Sequence, residues 1–147
     1  MQGKYFQELR VGEVFQSPRR TVTETDVVLF TSLAGLHNPL FTDEVFAQEK
    51  GFGSRVAPGP LTMAIAMGLT DELLYGTTTA ALGVNNAVFK APVRPGDTVS
   101  VKTTVVEKRE SRSQPDRGPV TLRHQVYNQQ GQEVISFERT LMVLKKA

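Results

Sequence analysis

Residues 59–75, GPLTMAIAMGLTDELLY, form an apolar run that the rest of the chain must accommodate. Leu61, Met63, Ala64, Ile65, Ala66, Met67 and Leu69 leave almost no polar face in its first turns. A helix that is apolar all round is either buried on every side or placed in a membrane. Asp71 and Glu72 interrupt the run well before the ~20 apolar residues that a bilayer span needs. The pattern therefore predicts one enclosed helix over residues 59–75. Gly59 and Pro60 mark its start, because proline at the first helical position loses no hydrogen bond. The β-prone residues 77–79 stop it. Ala64, Ala66 and Gly68 would let another backbone come close, so a sheet wrapped round the helix is the expected partner.

After this run the apolar period changes to two. Val99, Val101, Thr103 and Val105 alternate with Ser100, Lys102 and Thr104, which predicts a half-buried strand. Val120, Leu122, His124 and Val126 share one face of the next strand, and residues 134–144 read as the last. Residues 79–91 are a further strand candidate, followed by a tight turn over 92–97. Gln130-Gly131 predicts a hairpin. Before the run, residues 5–16 read as a lead-in, with a short strand over 19–22. Thr23 with Asp26 is a helix start. Val27, Phe30 and Ala34 give that helix an inward face, and Gly35 ends it. The residue before proline avoids the helical region, so helix cannot run through Asn38. Thr42 is expected to cap a second short helix over 43–50. Consecutive strands joined by short turns imply an antiparallel sheet. The fold class is α+β: one antiparallel sheet curled round one central helix, as a single domain over residues 1–147. A second copy would cover the sheet's edges.

Composition excludes several classes of function. The 147 residues are 39% hydrophobic and 22% charged, which is ordinary for a globular protein with a real core. The net charge of +2 is scattered along the chain, which argues against a nucleic-acid partner. With no cysteine there is no disulfide, thiolate metal site or cysteine nucleophile. Neither a glycine-rich phosphate loop nor a metal-ligand cluster is readable. The opening MQGKYFQEL lacks an apolar signal core, so a cytoplasmic address with no membrane attachment is the default expectation.

Residues 34–43, AGLHNPLFTD, resemble the hydratase signature G-D-x-N-P-[aliphatic]-H-x-D of the MaoC-like dehydratases. Residues 55–61, RVAPGPL, resemble that family's apolar pair, Ala-His-Gly and helix start. Residues 89–97, FKAPVRPGD, resemble its F-x-x-P-V-x-x-G-D landmark. The likeness runs in order along nearly the whole chain. It implies the hotdog fold and a trans-2-enoyl or 3-hydroxyacyl thioester of coenzyme A as substrate, with no other cofactor. It also implies assembly as a homodimer or as a hetero-oligomer with a related hotdog chain. Hydration there needs a carboxylate and an imidazole to move protons. It also needs backbone donors for the thioester oxygen. In this sequence the family's aspartate falls on Leu36, its histidine on Phe41, and the histidine before the helix glycine on Pro58. Gly35, Asn38, Pro39, Asp43 and Gly59 are kept.

The retained positions imply the Gly59 amide and Asp43 as groups beside the reacting atoms, and His37, at a variable position of the signature, is added as the only imidazole near the motif. Leu36, Asn38, Phe41, Pro58, Lys90 and Arg94 are the residues expected to bind substrate. Each also has a structural alternative. His37 is a substitute base or a solvent-facing loop residue. Asn38 braces its turn or touches substrate, and Asp43 is also a helix-start residue. Lys90, Arg94 and Arg55 could meet coenzyme A phosphates or simply be solvated. His124, on an apolar strand face, is expected in the core or at an interface. Three functions stay open: a hydratase or dehydratase with an altered site, a non-catalytic acyl-CoA-binding subunit, and a hotdog thioesterase.

Overall fold

A computed structural model describes residues 1–147, and the three α-helices before the central one begin at side-chain caps. Helix α1 (Glu24–Ala34) opens on Thr23. The Asp26 amide donates to the Thr23 hydroxyl at 3.0 Å, while Thr23 N–H donates to the Asp26 carboxylate at 2.8 Å. This reciprocal box satisfies two amides that the helix leaves unpaired. Gly35 ends α1 at φ 69°, a left-handed conformation that favours glycine. The turn α2 (Pro39–Thr42) starts after Asn38, whose side-chain oxygen accepts from Leu40 N–H at 3.0 Å. Helix α3 (Glu44–Glu49) is capped by Asp43, which accepts from Phe46 N–H at 3.0 Å. The expected cap, Thr42, is instead the last residue of α2; its hydroxyl points back to Asn38 O.

The central helix α4 (Gly59–Leu69) is shorter than the sequence pattern suggests. The Thr70 hydroxyl donates back to Ala66 O and Met67 O, and residues Asp71–Leu74 continue as a 3₁₀ turn. Side-chain bonding of this kind competes with helix propagation. The helix is also not enclosed all round. Leu61, Thr62, Ile65 and Ala66 are buried, but Pro60, Ala64 and Gly68, four residues apart, form an exposed stripe. The sheet curves round one side only.

That sheet contains β1 (Val14–Gln16), β2 (Arg20–Thr21), β3 (Thr78–Phe89), β4 (Thr98–Lys108), β5 (Arg117–Tyr127) and β6 (Glu133–Leu144). Its order is β1-β4-β5-β6-β3, all antiparallel, with β2 also on β4. Strand β1 lies inside the segment read as a lead-in. The wrap of this sheet round α4 is the hotdog arrangement. No helix is long and apolar enough to cross a membrane.

The inward faces of the strands form two apolar clusters. One surrounds the start of α4 and includes Val99, Val101, Val126, Ile135 and Phe137. The other lies beyond its end and includes Val105, Leu122, Leu141 and Val143. Between them runs a polar seam. His124 pairs in register with Thr103, and its Nδ1 is 2.9 Å from the Thr103 hydroxyl. Arg139 Nε–H donates to His124 Nε2 at 2.8 Å, and Arg139 also donates to the Thr70 hydroxyl at 3.0 Å. Strand β3 forms the outer edge beside β6 and exposes Leu82, Val84, Val88 and Phe89.

Candidate active site

A pocket of about 470 Å³ opens at the amino-terminal end of α4. This volume falls in the range of small-molecule sites. Four segments converge on it: Phe41 from α2, residues 56–57 with the first turn of α4, the end of β3 and the residues after it, and Ile135 of β6. Main-chain bonds hold them in place. Ala57 N–H donates to Val93 O at 2.7 Å, Val56 N–H to Leu40 O at 3.3 Å, and Lys90 N–H to Val134 O at 2.8 Å.

The start of α4 sets the pocket's polarity. Pro60 has no amide. Leu61 N–H and Thr62 N–H both donate to Pro58 O, at 3.0 and 3.4 Å. The Gly59 amide therefore remains as the free donor at the positive end of the helix. A Cβ at Gly59 would lie 2.5 Å from the Phe89 ring, another residue of the pocket lining, so any larger residue would have to displace that ring.

Of the residues singled out from sequence, Phe41, Gly59 and Lys90 line this pocket. Pro58 is buried immediately before it, and Leu36 is half-buried on the approach to α2. His37, Asn38 and Asp43 are exposed and outside the lining. Asn38 and Asp43 spend side-chain oxygens on caps, as their turn positions suggest.

The three candidate phosphate cations are all engaged. Lys90 pairs with Glu133 at 2.6 Å and holds that carboxyl below the usual range. Arg94 donates to Ser54 O at 2.6 Å and to the Ser54 hydroxyl at 2.9 Å. Arg55 bridges Glu24 and Glu44 at 2.6 and 2.8 Å, bonds that raise its pKa and lower that of Glu44. It ties α1 and α3 to the loop that leads into α4. Three residues escaped the sequence reading. Phe89 and Thr62 line the pocket, and Arg139 anchors the seam. Thr62 looked like a minor member of an apolar run. Only the packed structure reveals that its hydroxyl is buried without a partner.

The family model for the MaoC like domain matches residues 6–128. Protein MaoC of Klebsiella aerogenes is 37% identical over 118 residues, which are 79% of this chain and 35% of that protein. An (R)-specific enoyl-CoA hydratase of Rhodospirillum rubrum is 34% identical over 140 residues, 95% of this chain and 91% of its own length. A Mycobacterium tuberculosis protein described as a double hotdog fold superposes with a TM-score of 0.88 at 26% identity, over 98% of this chain and 45% of that one. This chain thus spans little more than a third of Protein MaoC but nearly all of the Rhodospirillum hydratase. The helix, its curved sheet and this match together place the chain in the MaoC-like dehydratase family.

Proposed function

We propose that this chain binds an acyl-CoA thioester in the pocket at the start of α4 and serves enoyl-CoA hydratase or 3-hydroxyacyl-CoA dehydratase chemistry beside a related hotdog chain that supplies the proton carriers. One observation carries this reading. The lining offers a free backbone donor at a helix start but no imidazole and no carboxylate. Hydration adds the water oxygen to carbon 3 and a proton to carbon 2, while negative charge builds on the thioester oxygen. Gly59 N–H supports that charge. The two proton transfers need an acid and a base, and Leu36 and Phe41 supply hydrocarbon where the family signature has them. The apolar lining suits the acyl group, with Lys90 at the rim as the cation nearest to coenzyme A phosphates. The second chain, a relative that carries the acid and base, pairs along the outer edge of β3, where Leu82, Val84 and Val88 are exposed.

A second reading rests on His37. It sits immediately before the Asn38 cap on the loop that delivers Phe41 to the pocket, and it would act as the substitute base. The experiment is calorimetric binding of enoyl-CoA thioesters to the purified chain, with loss of the conjugated double bond followed in parallel. The expected result is binding without turnover, and turnover once a related chain bearing the acid and base is added. Turnover by the chain alone that His37→Ala abolishes would establish the second reading. Failure to bind any acyl-CoA, or release of free thiol, would overturn the proposal.

A further inference from the structure

The chain buries several threonines, and all but one spend their hydroxyl inside the protein. Thr31 donates to Val27 O at 2.8 Å, Thr70 to Ala66 O at 3.2 Å and Thr77 to Leu74 O at 3.0 Å, while Thr103 bonds His124. Thr62 is 1% exposed, and its hydroxyl has no partner. It occupies a helical site where threonine commonly bonds the carbonyl four residues back. That carbonyl, Pro58 O, already accepts from Leu61 N–H and Thr62 N–H. The hydroxyl of Thr62 is left over, and Thr62 lines the pocket. A buried polar group without a protein partner calls for an explanation, and a bond to a ligand is one.

Thr62 lies three residues after Gly59, on the same face of α4. Pro60, between them, has no amide to give. We propose that the Thr62 hydroxyl is the second hydrogen-bond donor to the thioester carbonyl oxygen, converging with Gly59 N–H and standing in for the amide that Pro60 lacks. No covalent step is involved; the hydroxyl keeps its proton and polarises the carbonyl. This inference rests on the acyl-CoA reading above and assigns the atom that Thr62 recognises.

The test compares butyryl-CoA with S-butyl-CoA, the thioether that lacks the carbonyl oxygen. Both are titrated into the wild-type chain and into Thr62→Val, Thr62→Ser and Thr62→Ala. Thr62→Val should bind the thioester about tenfold more weakly, the cost of one hydrogen bond to a carbonyl. It should bind the thioether within about twofold of wild type, and Thr62→Ser should retain thioester affinity. The carbonyl stretch of bound butyryl-CoA should shift to higher frequency in Thr62→Val as one donor is lost. Should the valine variant not fold, Thr62→Ala carries the same comparison. Equal losses for thioester and thioether, or no loss in either variant, would overturn the assignment and leave the thioester reading standing. A wild-type chain that binds neither ligand would overturn both.

Discussion

The seam through the core makes stability depend on pH through His124. Arginine only donates, so the Arg139 Nε–H bond at 2.8 Å requires a lone pair on His124 Nε2. The neutral ring then carries its proton on Nδ1 and donates it to Thr103. A second proton would set two donors and two positive charges against each other in a site with no exposure. Burial, followed by the charge of Arg139, pushes the His124 pKa from 6.5 down to about 3. Between these values the unfolded chain binds a proton that the folded chain refuses. Stability is therefore complete above the unfolded pKa and falls as pH drops through it, with the loss levelling off near the folded value. One such group costs about 2 kcal/mol of unfolding free energy between about pH 7.5 and about pH 5. The figure barely changes for any folded pKa below about 4, because the ring is then neutral throughout the window.

The carboxylates of Asp26, Glu44, Asp116 and Glu133 are held low by hydrogen bonds and ion pairs. Their contributions persist above the unfolded carboxylate pKa and fade at lower pH, outside this window. The assay is urea unfolding of wild type and His124→Gln at closely spaced pH values. Wild type should lose about 2 kcal/mol across the window, and the glutamine variant should lose little. A wild-type curve flat to within about 0.5 kcal/mol, or an equal slope in both proteins, would refute the linkage.

Two further outcomes test the surroundings of the site. Leu36→Asp combined with Phe41→His should create hydratase activity at least ~10²-fold above the parent chain, read as loss of enoyl-CoA absorbance. Inactivity in a folded, thioester-binding double variant would show that those two positions do not face the substrate. Arg55→Ala should lower the urea midpoint modestly at low salt and less at high salt, since its partners Glu24 and Glu44 are substantially exposed. A loss unaffected by salt would mean that packing of the Arg55 stem, and not its charge, holds the loop before α4.

Features encoded within a few residues could be read from sequence. The Thr23–Asp26 box, the stop at Gly35 and the alternation of β4 and β5 depend on neighbours in the chain, and the structure places them as the pattern implies. Asn38 also announces itself, because an Asx residue before a proline has few other uses, whereas the pattern puts the cap of α3 on Thr42, one residue before the true cap Asp43. What failed was whatever depends on distant partners. The end of α4 is set by Thr70, which the apolar run hides and which Arg139 of β6 holds from outside. The exposed stripe of Pro60, Ala64 and Gly68 reflects how far the sheet curls, which no helical period reports. Phe89 looked like the close of a strand; its place in the pocket lining follows from its approach to Gly59, 30 positions earlier.

The two ends of α4 differ in a way that bears on where function lies. At the carboxyl end, the Thr70 hydroxyl, the His124 ring and two of the guanidinium nitrogens of Arg139 are bonded to one another or to backbone. At the amino end, the Gly59 amide and the buried hydroxyl of Thr62 have no protein partners, and both residues line the apolar pocket. Each unsatisfied buried group costs about 1–3 kcal/mol, against a total stability of roughly 5–15 kcal/mol for a domain. Packing alone would favour valine at residue 62, which fills the same space without the penalty. One end of the helix is closed by a complete polar network and the other leaves donors open, and this contrast supports the proposal that the ligand binds at the open end. The donors left there suit an acceptor oxygen, which an acyl thioester brings and a bare alkyl chain does not.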